Sequence, residues 1–94
     1  MKLHWTGEAE QQRYDIWRYI YQENPYAALE MDECFLEATM RLCNFPELGR
    51  PGELPGTREL IPHESYRLIY EIEQEEVRIL ALVHTSRLWP PVAE

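Results

Sequence analysis

Lysine is nearly absent from this chain of 94 residues, where Lys2 stands alone beside eight arginines. No apolar run approaches the roughly 18 residues a membrane-spanning helix needs. MKLHWTGEAE turns acidic where a secretory leader would carry its apolar region. These two absences predict a cytoplasmic protein that does not engage a membrane. Basic charge is also scarce: 17 acidic against 9 basic residues leave a net charge of −8, which argues against sequence-independent attraction to nucleic acid. The deficit is even, with 8 acids and 4 bases in residues 1–45 and 9 acids and 5 bases in residues 46–94. No acidic tail accounts for it. Cysteine is limited to Cys34 and Cys43, nine residues apart in one predicted helix and so about 13 Å apart along its axis. That is beyond the reach of a disulfide, and both are read as reduced thiols.

Several chemistries are missing as well. There is no glycine-rich phosphate loop, and His4, His63 and His84 lack metal-ligand spacing, so neither metal nor cofactor is predicted. Ser65 and Ser86 lie near histidines in the sequence but without the elbow and orienting acid of a serine nucleophile. What remains is an apolar content of 45% with 12% aromatics, enough for one core in one domain spanning residues 1–94.

The chain punctuates itself clearly. Residues 2–5 alternate as a short strand, and Thr6 is placed to cap a helix through Glu8–Glu23, with Glu8 and Glu10 complementing its dipole. Asn24-Pro25 combines a good N-cap with proline at the first helical position, so a second helix begins there. Ala28, Met31, Phe35, Ala38 and Leu42 follow at steps of three and four, the spacing of a buried seam. So short a connection makes the two helices an antiparallel hairpin. FPELGRPGELPG then forms a loop with three prolines and three glycines.

Three strands complete the pattern at Thr57–His63, Tyr66–Glu73 and Val77–His84. Gln74-Glu75 turns between the last two without the Asn-Gly signature of a two-residue hairpin. The final strand has no polar face beyond Arg78, so Leu80 and Leu82 require a cover on the side away from the helices, from a loop or a partner protein. Arg58, Arg67, His84 and Arg87 form the candidate chemical set. Paired as a meander, the strands project Arg67 and His84 from one face with Arg87 just beyond, an arrangement able to hold a phosphodiester and move a proton. Glu59, Glu64 and Glu71 are close enough in sequence to occupy those guanidiniums.

The order strand, helix, NP, helix, PELGRPG, GTREL, SYRLIYEIE, VRILALVHTSR and WP resembles the RelE/ParE superfamily of bacterial type II toxins over nearly the whole chain. The resemblance implies an α+β fold in which an N-terminal strand and an antiparallel helical hairpin pack on a small antiparallel sheet, in the order β-α-α-β-β-β. It also implies a growth-inhibiting toxin neutralised by a co-encoded antitoxin, whose contact is placed at Leu80 and Leu82. The superfamily divides by target. RelE-like members cleave mRNA on the ribosome, and in that reading Arg67, Arg87 and His84 are catalytic while Arg58 and Tyr66 bind phosphate or target. ParE-like members poison DNA gyrase and often carry a related H-x-x-R ending without an intact ribonuclease set, which the HTSR and WP ending here fits at least as well. Leu60 stands where the ribonuclease branch has a lysine, and no tyrosine follows Arg87. The resemblance therefore favours gyrase or another protein target, with ribosome-dependent mRNA cleavage as the alternative.

Overall fold

In a computed structural model describing residues 1–91, the chain runs as β1 (Lys2–Trp5), α1 (Gly7–Tyr21), α2 (Pro25–Asn44), β2 (Arg50–Pro51), β3 (Thr57–His63), β4 (Tyr66–Glu73) and β5 (Glu76–His84). Local chemistry explains the helix boundaries. The Thr6 hydroxyl accepts the Ala9 N–H at 3.2 Å, and the Asn24 side chain accepts those of Tyr26 and Ala27 at 3.1 Å. These caps satisfy donors that the first helical turn leaves free.

The α+β fold places the helical hairpin on one five-stranded sheet, ordered β1-β5-β4-β3-β2. The sheet is mixed rather than wholly antiparallel. β1 lies at the edge and pairs parallel with β5, from Lys2 opposite Glu76 to Trp5 opposite Ile79. A two-residue β2 inside the predicted loop adds the other edge. Where β1 ends, the Gln12 side chain of α1 accepts the Leu82 N–H at 2.8 Å, satisfying part of the open edge of β5.

The core sits between helices and sheet, with Ala9, Phe35 and Leu42 packed against Leu68, Tyr70, Val77, Ile79 and Leu82. Tyr70 is fully buried yet keeps both polar partners, donating to the Pro46 carbonyl at 2.6 Å and accepting the Gly49 N–H at 2.9 Å. Each such bond contributes about 1 kcal/mol net, and together they tie the proline-rich loop to the sheet. A Cβ at Gly49 would lie 2.7 Å from the Glu59 carbonyl and 2.8 Å from the Tyr70 hydroxyl. Only glycine fits that approach.

Two irregularities set the register of β4 and β5. Gln74 and Glu75 both adopt positive φ, 49° and 62°, the condition a type I′ hairpin turn imposes on its central residues. Further along, Ile69 pairs with Ala81 but Tyr70 with Ile79, leaving Leu80 as the extra residue of a bulge. Without it, the turn would place Arg67 opposite Leu82 and Ile69 opposite Leu80. With it, every residue from Ala81 onward moves to the other face.

Candidate functional site

The bulge decides where the candidate residues point. Leu82 pairs with Leu68 on the helix side and is 2% exposed, so the outside cover expected for it is supplied by the chain's own core. Its assignment to antitoxin contact on an open face is thereby corrected. Leu80 stays half-buried in the bulge, where its carbonyl accepts from the Thr6 hydroxyl at 3.3 Å. The same displacement separates Arg67 from His84. Arg67 is opposite Val83 on the face away from the helices, whereas His84 is opposite Tyr66 on the helix face. The shared face expected for Arg67 and His84 does not form.

On the outer face, Arg67 is held on both sides. Its guanidinium donates to the Arg87 carbonyl at 2.5 Å and approaches the Glu59 carboxylate at 3.5 Å. The Glu59 side chain is only 3% exposed and that of Arg67 15%. Glu59 also faces Arg50 at 3.6 Å and accepts the Glu53 N–H at 3.3 Å. A carboxylate so placed occupies the charge that a phosphate would need. Arg78 lies within 3.2 to 3.6 Å of carboxylate oxygens of Glu71, Glu73 and Glu76.

Arg58 is committed elsewhere, since it projects toward the proline-rich loop and donates to the Gly49 and Glu47 carbonyls, both at 2.9 Å. These bonds fasten the loop and remove Arg58 from the phosphate-binding role expected of it. The sequence flags arginine but carries no local sign of which carbonyls a distant loop will present.

The helix side holds a cleft of about 630 Å³ between α1 and the end of β5, and this cleft does bring together His84, Arg87 and Tyr66. Gln12, Asp15 and Tyr19 of α1 complete its wall and were not singled out from the sequence, because each reads there as an ordinary exposed helix residue. The Tyr66 ring meets Phe35 and His84 edge to face, with 5.4 Å between centroids in both pairs. Burial, with a smaller contribution from Tyr19, raises the Tyr66 phenol above its ordinary value. His84 accepts the Ser86 N–H at Nδ1, 3.1 Å away, which places the proton of a neutral ring on Nε2. The Ser86 hydroxyl lies 2.7 Å from the same Nδ1. Arg87 is exposed and, among the described residues, has no carboxylate within ion-pair distance. The cleft can therefore engage an anion or a polar peptide group through Arg87, His84 and the phenols. Among the described residues it has no second guanidinium that would clamp a phosphodiester from the other side. Among the described residues no helix is long and apolar enough to cross a membrane.

Comparison with known proteins is consistent over most of the chain. Residues 3–89 match the family model described as ParE toxin of type II toxin-antitoxin system, parDE. A protein of Sinorhizobium fredii named "Putative toxin Y4kP" is 33% identical over 92 residues, covering 97% of this chain and 95% of that one. Among solved structures, the chromosomal ParDE TA system from P. aeruginosa contains a chain with TM-score 0.78 and 25% identity, matched over 89% of this chain and 95% of that one. The YoeB/ParE toxin from Agrobacterium tumefaciens shares the fold, with TM-score 0.64 at 15% identity over 89% of this chain and 98% of that one.

Proposed function

Because the chain belongs to the ParE toxin family of type II toxin–antitoxin systems, we propose that it arrests growth by binding a protein target, DNA gyrase, and that a co-encoded antitoxin neutralises it. The observation carrying this reading is the engagement of Arg67 by Glu59 and the Arg87 carbonyl. An arginine that stabilises extra charge on a scissile phosphate must be free to meet it. Arg67 is instead a structural cation, on the opposite face from His84. Arg58, tied to two loop carbonyls, adds no second clamp. The acidic balance of the chain supports the same choice, since a net charge of −8 opposes docking on a ribosome or RNA.

The ribonuclease alternative has one observation in its favour, the shared cleft of His84 and Arg87. Both readings are tested by adding purified protein in parallel to a gyrase supercoiling reaction and to ribosomes programmed with a defined mRNA. Loss of supercoiling, retained in His84→Ala, is the expected result. Cleavage of the mRNA that disappears in His84→Ala or Arg87→Ala would overturn the protein-target reading in favour of the nuclease.

A further inference from the structure

The fold leaves two features unused at the cleft between α1 and the end of β5. The first is a strip of open backbone. β1 accompanies β5 only as far as Trp5 opposite Ile79, so the rest of β5 has no neighbouring strand on that side. The Thr85 N–H reaches toward β4, donating to the Ser65 carbonyl at 2.8 Å, whereas the Leu82 N–H points the other way, to the Gln12 side chain. Bonded and non-bonded residues alternate along an antiparallel ladder, so the Leu82 carbonyl and the His84 N–H also turn away from β4. Among the described residues neither has a partner. An open edge of this kind is a template for another extended chain.

The second feature is a cation. Beyond β5 the chain turns, and the Arg87 N–H donates to the His84 carbonyl at 3.0 Å while the Thr85 hydroxyl donates to the Glu64 carbonyl at 3.1 Å. These bonds fix where the Arg87 side chain leaves the backbone, and its guanidinium stays exposed at the cleft. The Tyr66 phenol, whose proton burial holds more tightly, and the Tyr19 hydroxyl add neutral donors to the same walls.

From this geometry we propose that the cleft receives an extended segment of the target protein, its backbone pairing with the Leu82–His84 edge and an Asp or Glu side chain meeting Arg87. The inference rests on the gyrase reading and adds the site and the chemistry of the contact. Charge separates a peptide from the DNA that gyrase also carries. Asp15 shares the cleft with Arg87, and among the described residues no other guanidinium lines it. A nucleic-acid strand brings a charge at every phosphate and would crowd the rest against Asp15, in a chain of net charge −8. A peptide brings one carboxylate followed by neutral amides, the groups that pair with an open strand edge. The planar guanidinium fork of Arg87 matches a carboxylate in two bonds. His84 takes part through its backbone, so His84→Ala leaves both features in place.

The test uses the full-length protein and gyrase holoenzyme free of DNA, with affinity measured by calorimetry and inhibition by the supercoiling reaction. Arg87 is exposed, so its replacement spares the core, and thermal unfolding verifies that it does. Arg87→Glu is expected to weaken binding by ~30-fold or more, as loss of an interface anchor does, and to weaken inhibition in step. Arg87→Lys loses less, because it keeps the charge without the fork. Lys2→Glu makes the same change in net charge at the other end of β5, beside Glu76, and binds as the wild type does. The His84 amide, open in the free protein, gains protection from hydrogen exchange in the complex. Full binding and inhibition by folded Arg87→Glu would overturn the proposed site while leaving the gyrase reading intact. So would an unprotected His84 amide, or an equal loss in Lys2→Glu. Binding that requires DNA would place a phosphate in the cleft and overturn the peptide. Failure of the wild-type protein to inhibit supercoiling would remove both the site and the gyrase reading.

Discussion

Removing Glu59 is the sharpest test of what Arg67 does. Glu59→Gln leaves a guanidinium that is 15% exposed without its main counter-charge. At 3.5 Å and an effective dielectric of 20 the gross attraction is about 5 kcal/mol, and most of it is offset by the cost of taking both charges out of water. The net loss is expected to be about 2 kcal/mol, below the figure for a fully buried pair because Arg67 keeps its bond to the Arg87 carbonyl. For a domain this size that lowers the melting temperature by roughly 10 °C. Arg67→Met should cost at least as much, since it strands a nearly fully buried carboxylate whose other cation, Arg50, is 64% exposed. In a double-mutant cycle monitored by urea unfolding, Glu59→Gln/Arg67→Met should be less destabilised than the sum of the single variants by about 1–2 kcal/mol. The folded double variant is also expected to keep its toxicity when expressed. A coupling energy of zero would refute the ion pair. Loss of toxicity in a double variant that remains folded, together with loss of mRNA cleavage, would refute the structural role of Arg67.

Two further outcomes follow from the β4–β5 hairpin and the cleft. Gln74→Asn/Glu75→Gly should stabilise the protein by about 1 kcal/mol, because both positions hold positive φ that asparagine and glycine adopt at lower cost; an unchanged or lower urea midpoint would contradict that turn. Burial raises the Tyr66 phenol above its ordinary 10.0, so the folded chain holds this proton more tightly than the unfolded chain. The stability contributed by this proton is therefore fully present below pH 10 and is lost as pH rises through the folded value. Tyr66→Phe should flatten that decline in unfolding curves measured across alkaline pH, and an identical decline in both proteins would show that another group is responsible.

Much of the architecture is legible from neighbouring residues alone. Thr6 and Asn24-Pro25 start their helices through bonds spanning two or three positions, and the stepped seam of α2 states which side is buried. The alternation of Tyr66, Leu68 and Tyr70 likewise identifies the inner face of β4 before any partner strand is known. The surface was less readable. An arginine looks the same in sequence whether its charge meets solvent, a carboxylate or a carbonyl, so the commitments of Arg58 to the loop and Arg67 to Glu59 could not be seen. They depend on β3 lying between β2 and β4.

By itself, then, the sequence determined the two helices, the three long strands and the family to which they belong, because caps, periodicity and turn residues act over a few positions. Tertiary structure decided the meaning of the last strand. One extra residue at Leu80, invisible in a continuous apolar run, moves Leu82 into the core and puts His84 on the face opposite Arg67. A strand alternates faces with a period of two, so a single bulge reverses everything beyond it. That reversal separates the two residues a phosphodiester site would have joined.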